Sequence, residues 1–317
     1  MTFKTLPLSI RIVFMGTPEF AVPSLDKLFQ AHYNIVGVIT APDKPAGRGM
    51  SLQQSAIKKF ALEKGLKVLQ PEKLKSPGFI EELKELKADL QVVVAFRMLP
   101  EIVWNMPPGG TINLHASLLP QYRGAAPINW AIINGEKVTG ATTFKLQHQI
   151  DTGNILLQAK INIGEDETAG ELHDRLKEDG ARLLVRTVDG LVKKSLQEIP
   201  QSLSDAGSES VIKHAPKLTN ESSRIDWSKT TDEVHNLIRG VSPYPAPFTL
   251  LNGKTLKIYR AKKEITRPGI STGELETDKK TFLKFACADG YISVTELQLE
   301  GKKKMGIPEF LRGYKFQ

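Results

Sequence analysis

Over the first 200 residues, short apolar runs alternate with longer stretches in which apolar positions recur at helical spacing. This alternation is typical of βαβ units that build a mostly parallel sheet. Strands are predicted at residues 8–15, 35–39, 67–69, 90–95, 110–114, 141–146 and 154–163. Helices are predicted at residues 18–31, 55–64, 77–86, 125–134 and 168–192. The pattern therefore predicts a Rossmann-like α/β domain at residues 1–193.

The composition changes at residues 194–217, where Ser, Gln, Asp, Gly and Glu dominate and helical periodicity is lost. We interpret this segment as a linker between two domains. Residues 218–317 then show one helical pattern, at residues 231–239. Short alternating runs follow at residues 248–251, 255–260, 281–286 and 291–299. Asn252-Gly253 and Asp289-Gly290 are hairpin signals between these runs. The second domain is predicted to be a small β-barrel of the oligonucleotide-binding (OB) type.

The net charge of +8 is concentrated in this second domain. From Lys213 to the end, 19 Lys and Arg stand against 12 Asp and Glu, a net charge of +7, whereas the first 212 residues carry +1. A basic domain suits a polyanion, because each neutralised phosphate releases counterions. A mildly basic surface without a ligand explains the charge alone equally well. The clustered cations favour phosphate contact: Lys254, Lys257, Arg260, Lys262, Lys263 and Lys302–Lys304.

Several classes of protein are disfavoured by the sequence. No apolar run approaches the roughly 18 residues that a membrane-spanning helix needs, and no targeting segment is recognisable, so we expect a cytoplasmic protein with no membrane partner. The single cysteine, Cys287, excludes an internal disulfide, and the histidines show no metal spacing, so no metal is expected. Residues 16–21 lack the spacing of a dinucleotide or P-loop motif, which disfavours a Rossmann dehydrogenase.

The candidate chemistry lies at the end of the fifth predicted strand. Asn113 and His115 are two positions apart there, so their side chains point to the same side of the sheet. Asp151 lies in a later loop followed by Gly153, which permits a tight approach of the backbone. An amide donor, an imidazole and a carboxylate brought together suit acyl transfer to an amine, because an oxyanion is stabilised and a proton must move.

Three segments in this order and spacing carry a family resemblance: residues 113–120 (NLHASLLP), 122–127 (YRGAAP) and 151–153 (DTG). They resemble the signature of the folate-dependent formyltransferases. Within that family, residues 14–21 (FMGTPEFA) and 42–49 (PDKPAGRG), together with C-terminal matches, make the chain similar to the enzymes that formylate an aminoacyl-tRNA. The resemblance covers essentially the whole chain.

The resemblance implies a reaction and a role for each motif. The formyl group of 10-formyltetrahydrofolate would pass to the α-amino group of methionine on initiator Met-tRNA, and the enzyme would be a monomer. Asn113 would donate to the formyl oxygen, His115 would be the acid–base partner, and Asp151 would keep His115 protonated. Two segments would bind the folate: Ser117, Leu118, Leu119 and Pro120, and Phe96, Arg97, Met98 and Leu99. The tRNA would contact Lys44, Arg48, Lys254, Lys257 and Arg260.

Two departures from the family pattern concern substrate contacts. Arg97 stands where the tRNA enzymes have a Gly-containing stretch, and in this it looks like the glycinamide ribonucleotide enzymes. The loop after Gly49 lacks the usual adjacent lysines and reads Met50-Ser51-Leu52, so we expect a loop of lower charge.

Three alternatives stay open. The first is a formyltransferase for a small amine, either a ribonucleotide or an amino sugar; the basic second domain argues against the ribonucleotide. The second is a noncatalytic RNA-binding protein, which would not need Asn113, His115 and Asp151 together. The third is a hydrolase that releases formate, with water in place of the amine.

Overall fold

The structure is a computed structural model that describes residues 10–46, 51–203 and 211–316. The strands and helices of the first part are β1 (Arg11–Gly16), α1 (Val22–Gln30), β2 (Asn34–Ile39), β3 (Lys44–Ala46), β4 (Ser51–Gln53), α2 (Ala56–Glu63), β5 (Val68–Leu69), α3 (Pro77–Glu85), β6 (Leu90–Val94), α4 (Glu101–Trp104), β7 (Thr111–His115), β8 (Arg123–Gly124), α5 (Pro127–Ile133), β9 (Val138–Lys145), β10 (Ile155–Asn162) and α6 (Ala169–Val192). Those that follow are β11 (His214–Ala215), α7 (Thr231–Gly240), β12 (Phe248–Leu251), β13 (Lys254–Glu264), β14 (Leu275–Thr277), β15 (Leu283–Ala286), β16 (Tyr291–Leu299), β17 (Met305–Gly306) and α8 (Ile307–Gly313).

A seven-stranded sheet carries the first part of the chain, in the order β10-β9-β7-β6-β1-β2-β5. The pairs β1–β2, β1–β6, β2–β5 and β6–β7 are parallel, and β7–β9 is antiparallel. The predicted Rossmann-like, mostly parallel sheet is confirmed. Every strand and helix predicted in this part is present, and only the ends shift by a few residues.

Burial explains why the central strands read as continuous apolar runs. Helices flank a parallel sheet, so both faces of its strands are removed from water. In β1 the residues from Ile12 to Met15 are fully buried, and in β6 Val92 and Val94 are as well.

At α2, the Ser55 side chain caps the helix by accepting a hydrogen bond from the backbone N–H of Lys58 at 3.0 Å.

A second sheet has the order β12-β13-β16-β15-β14, with β17 beside β16, and its neighbouring strands pair antiparallel. It curls into a half-barrel, which confirms the predicted barrel-like domain. Asn252 and Gly253 turn the chain from β12 to β13 with φ values of 49° and 75°, as the hairpin signal predicts. The core under the sheet contains Leu256, Ile258 and Leu297.

The described chain divides into two compact units. The first contains the described residues of Met1–Arg123, Gly140–Lys160 and Asp174–Lys213, and the second those of Gly124–Thr139, Ile161–His173 and His214–Gln317. The second unit thus includes two segments from the first 193 residues, so the domain limits predicted from sequence stay a prediction. Within the described ranges, no helix has the length and apolar character needed to cross a bilayer.

Candidate active site

Strand β7 positions the first two candidate residues. It lies between the parallel strand β6 and the antiparallel strand β9, and it ends at His115. Asn113 is half-buried, and its side-chain amide has no hydrogen-bond partner among the residues that the structure describes. A polar group held on a rigid central strand without a partner is available to a ligand.

The structure brings His115 and Asp151 together, as the sequence predicts. Nδ1 of His115 lies 3.8 Å from Oδ2 of Asp151, and both side chains are nearly buried, with exposed fractions of 8% and 12%. Nε2 of His115 lies 2.9 Å from the backbone carbonyl oxygen of Tyr122. Each ring nitrogen therefore faces an acceptor, and the Tyr122 carbonyl selects a ring with a proton on Nε2. The distance to Asp151 is longer than a hydrogen bond and within the range of an ion pair with a protonated ring.

The loop of Asp151 is a tight turn whose backbone leaves little freedom. Asp151 has a φ of 54°, in the left-handed region that Asp tolerates better than most residues. The Thr152 hydroxyl donates to the carbonyl oxygen of Gln149 at 3.0 Å. A Cβ at Gly153 would lie 1.6 Å from the carbonyl oxygen of Lys145, so only glycine fits there. This confirms the close approach predicted for Gly153.

The loop of residues 117–120 is held by hydrogen bonds to Gln121 and to Thr142 on β9. The Ser117 hydroxyl donates to the carbonyl oxygen of Gln121 at 2.6 Å, and the Thr142 hydroxyl donates to the carbonyl oxygen of Ser117 at 2.6 Å. Leu119 is fully buried in a small apolar cluster, and Pro120 is also buried. Leu118 alone in this loop is half-exposed, so among these four side chains it is the one that offers surface to a ligand.

The second predicted folate segment, residues 96–99, follows β6. Phe96 and Leu99 pack against the core, whereas Met98 is 73% exposed. The Arg97 guanidinium donates to the carbonyl oxygens of Pro71 and Glu72, the latter at 2.9 Å. Burial lowers the pKa of Arg97 from its ordinary value, and Nε of Arg97 is buried without a hydrogen-bond partner. The two terminal nitrogens of Arg97 thus hold the neighbouring loop, and its Nε stays without a partner among the described residues.

A cleft of about 340 Å³ opens beside the Asp151 loop. It is lined by Trp104, Gln147, His148, Gln149 and Thr152. His148 packs edge-on against Trp104, with ring centroids 5.4 Å apart, and its Nε2 lies 3.4 Å from Glu101. His148 thus lines a cleft next to the Asp151 loop.

Of the predicted tRNA contacts of the first unit, Lys44 lies on a short antiparallel strand pair, β3–β4. Lys44 is exposed on β3, and Arg48 lies outside the described residues. Asp43, just before β3, accepts hydrogen bonds from Lys58 at 2.6 Å and from Gln70 at 2.8 Å. The hydrogen bonds from Lys58 and Gln70 lower the pKa of the Asp43 carboxyl. Asp43 thus anchors the base of this strand pair, a role that its sequence context does not reveal.

The predicted tRNA contacts of the second unit differ from one another. Lys254 is exposed and Lys257 is half-buried, and neither forms an ion pair with any carboxylate in the described ranges. Arg260 is different, because its Nη2 lies 2.5 Å from Oε1 of Glu171. The charge of Arg260 is therefore already neutralised within the unit.

Two further residues support the site and were missed by sequence reasoning. The carbonyl of Tyr122 fixes the ring of His115, and Tyr122 itself has a φ of 60°. Gln201 donates to the backbone of the Asp151 loop. A contact made by a backbone carbonyl cannot be inferred from the pattern of side chains, and Gln201 lies in a segment that reads as a linker.

Across the described ranges, no three His, Cys, Asp or Glu side chains are grouped so that they could hold a metal ion.

Comparison with known families matches both parts of the chain. Residues 10–188 match the formyl transferase family, and residues 217–315 match the formyl transferase C-terminal domain. Methionyl-tRNA formyltransferase of Parabacteroides distasonis is 52% identical over 314 residues, covering 96% of each chain. The protein of the same name from Flavobacterium johnsoniae is 50% identical and covers 97% of each chain.

Solved structures share the fold at lower identity. An N-formyltransferase from Helicobacter canadensis, in complex with folinic acid and dTDP-3-aminofucose, superimposes with a TM-score of 0.67 at 23% identity, covering 93% of this chain and 100% of its own. Glycinamide ribonucleotide transformylase 1 from Symbiobacterium toebii has a TM-score of 0.53 at 19% identity and covers 63% of this chain and 98% of its own. At these identities the likeness concerns the fold.

Proposed function

This chain belongs to the formyl transferase family, and on that premise we propose that Asn113, His115 and Asp151 form its reaction centre. The enzyme transfers the formyl group of a formyl folate to Met-tRNA. The observation that carries the proposed site is the setting of His115, whose ring nitrogens lie 2.9 Å from the Tyr122 carbonyl oxygen and 3.8 Å from the Asp151 carboxylate. Asn113, whose side-chain amide has no partner in the described part of the chain, lies two residues earlier on the same strand.

Asn113 acts on the formyl oxygen. The amine nitrogen of the methionyl group forms a bond to the formyl carbon, and the bond from that carbon to the folate nitrogen then breaks. Negative charge develops on the formyl oxygen as the carbon becomes tetrahedral. The side-chain N–H of Asn113, fixed on β7, donates to this oxygen without having to leave another partner. Donors already aimed at a developing oxyanion lower the barrier most.

His115 and Asp151 handle the proton. The attacking amine must lose a proton, and the departing folate nitrogen must gain one. With Nε2 of His115 engaged by the Tyr122 carbonyl, Nδ1 is the nitrogen that faces the reaction and Asp151. The Asp151 carboxylate balances positive charge on the His115 ring, and together they move a proton from the amine nitrogen to the folate nitrogen. A free α-amino group has a pKa of about 7.7–8.0, so a useful neutral fraction exists at pH 7 without a strong base.

The folate donor fits the first unit beside this centre. A flat pterin needs apolar cover on its faces and backbone groups along its edge. Phe96 and Leu99 are backed by the core, and Leu118 and Met98 offer apolar surface. Ser117, Leu119 and Pro120 contribute through the shape of their loop, and Arg97 contributes by holding its neighbours in place.

The finer features of the substrates belong to the same proposal. The donor is 10-formyltetrahydrofolate, the acceptor is the α-amino group of methionine on initiator Met-tRNA, and the enzyme acts in the cytoplasm as a monomer. Lys44 and Arg48 serve the acceptor end of the tRNA. Lys254 and Lys257 bind phosphates, supported by the absence of a carboxylate partner for either among the described residues. Arg260 contributes less, because Glu171 already pairs with it.

A competition between acceptor amines tests the function. The enzyme is incubated with 10-formyltetrahydrofolate and, separately, Met-tRNA, glycinamide ribonucleotide, a nucleotide-linked amino sugar, or buffer alone. We expect formyl-Met-tRNA as the main product, with kcat/KM for Met-tRNA at least about 10⁴ M⁻¹s⁻¹, the lower end of the usual enzyme range. Faster transfer to either small amine, or release of formate in buffer alone at a comparable rate, would contradict the proposal.

The basic residues of β13 make a separate prediction. Replacing Lys254 and Lys257 together by Ala is expected to raise the KM for Met-tRNA about tenfold in moderate salt, and to flatten its log–log salt dependence by roughly two units, because two phosphate contacts are lost. The KM for folate should not change. Arg260→Ala is the matched comparison and should have a smaller effect, since Glu171 pairs with Arg260. Equal salt slopes for the double variant and the wild type would remove these lysines from the tRNA site.

A further inference from the structure

A short segment after α6 runs along the loop that carries Asp151. We call residues 198–201 the strap. The Glu198 carboxylate lies 2.5 Å from Nζ of Lys145 and accepts a hydrogen bond from the Asn154 side chain at 3.2 Å. Ile199 exchanges two backbone hydrogen bonds with Ile155, at 2.8 and 2.9 Å. The strap therefore fastens both ends of the Asp151 loop, at β9 and at β10.

Gln201, at the end of the strap, reaches the centre of that loop. Its Nε2 donates to the carbonyl oxygens of Asp151 and Gly153, both at 2.8 Å. Its Oε1 accepts from Nε and Nη2 of Arg123, at 3.1 and 2.5 Å. Gln201 is only 5% exposed, so its side chain has little access to water that could replace these partners. Arg123 also fixes which end of the amide is the donor.

The two carbonyl groups that Gln201 holds decide where the Asp151 side chain points. Asp151 has a φ of 54°, which non-glycine residues rarely adopt unless the surroundings hold it. Gly153 lies against the Lys145 carbonyl, so the loop cannot shift inward to compensate for a lost restraint. If the Asp151 peptide rotates, its carboxylate leaves its position 3.8 Å from Nδ1 of His115. A displacement of about 1 Å at a reacting group can cost as much as 10²-fold in rate.

We infer that Gln201 is a positioning residue for formyl transfer, which holds the Asp151 carboxylate against His115 through the backbone of the Asp151 loop. The inference rests on the catalytic role proposed for Asp151. Gln201 belongs to the segment that reads as a linker from sequence, so part of that segment supports the reaction centre of the first unit. Arg123 completes the arrangement, because its side chain donates to Gln201 and so orients the Gln201 amide.

Two substitutions isolate this effect. Gln201→Met keeps the length of the side chain and removes its hydrogen bonds to Arg123, Asp151 and Gly153. Gln201→Glu keeps an acceptor for Arg123 but replaces the donor with an oxygen that faces two carbonyl groups. Both are expected to lower kcat about 10- to 100-fold with less than a threefold change in the KM for either substrate. Ser202→Ala, at the exposed neighbouring position, is the control and should retain wild-type kcat and KM.

A double-mutant cycle with Asp151→Asn separates positioning from general damage. If Gln201 acts through Asp151, adding Gln201→Met to the Asp151→Asn variant should lower kcat by less than about threefold further. The carboxylate that Gln201 positions is already absent from that variant. Equal losses in both backgrounds, or a wild-type kcat for Gln201→Glu, would overturn the inference and leave the role of Asp151 standing. A wild-type kcat for Asp151→Asn alone would overturn the proposed site, and the inference with it.

Discussion

Asp151→Asn is expected to lower kcat for formyl transfer by on the order of 10²-fold or more, with little change in either KM. The substitution keeps the size and shape of the side chain but removes the negative charge that lies 3.8 Å from Nδ1 of His115. An amide at that position cannot balance charge on the imidazole or accept the proton that the amine must lose. His115→Ala is expected to lose a similar factor, because it removes the other half of the same proton path. Initial rates of formyl-Met-tRNA formation at saturating folate and tRNA measure both effects.

The control for this prediction is the same chemical change elsewhere in the first unit. Asp26→Asn, on helix α1, alters a carboxylate that accepts a hydrogen bond from the Gln30 side chain one turn later. It should leave kcat within about twofold of wild type, in line with the small effects of most surface substitutions. The two active-site losses should not multiply in the double variant His115→Ala/Asp151→Asn, since residues that act as one unit are strongly non-additive. Wild-type rates in both single variants would refute the assigned roles.

The part of the site that could be predicted from sequence is the part encoded by short spacing. Asn113 and His115 lie two residues apart on one strand, and strand geometry alone places their side chains on one side. Glycine at position 153 signals a close backbone approach, and the structure explains it through the Lys145 carbonyl. The strands and helices of the first part follow from apolar periodicity, because a buried parallel sheet forces continuous apolar runs.

The contact between His115 and Asp151 depends on the register between strands β7 and β9, which cannot be read from apolar periodicity. His115 pairs with Thr142 across the antiparallel pair β7–β9, and the chain then continues along β9 into the Asp151 loop. A shift of one residue would place the loop differently without changing the apolar pattern of either strand. Only the motif resemblance indicates this contact from sequence. The short strand pair β3–β4 was missed for a related reason, since three-residue strands are too short to show a period.

The remaining differences come from side chains whose partners are distant in sequence. Arg260 reads as a free cation on a basic strand, yet Glu171, 89 residues earlier, neutralises it. Arg97 reads as a folate ligand, and its two terminal nitrogens donate to carbonyl groups 25 and 26 residues earlier, whereas its Nε has no partner among the described residues. Gln201 reads as one more polar residue of a linker. In each case the sequence shows a polar side chain, and only the fold determines whether its partner is a ligand or another part of the protein.

Asn113→Ala separates catalysis from stability more cleanly than any other change at this site. Removing one preorganised donor to an oxyanion costs about 10²–10³-fold in kcat, and we expect a loss in that range. The side-chain amide of Asn113 has no hydrogen-bond partner among the described residues, so the free energy of unfolding should change by less than about 1 kcal/mol. Asn113→Asp should lose at least as much activity, because a carboxylate of the same shape would face the developing negative charge. The measurement pairs single-turnover formyl transfer with urea unfolding of each variant. A loss of rate matched by a comparable loss of stability would show that Asn113 supports the fold, and the oxyanion would then need a different donor.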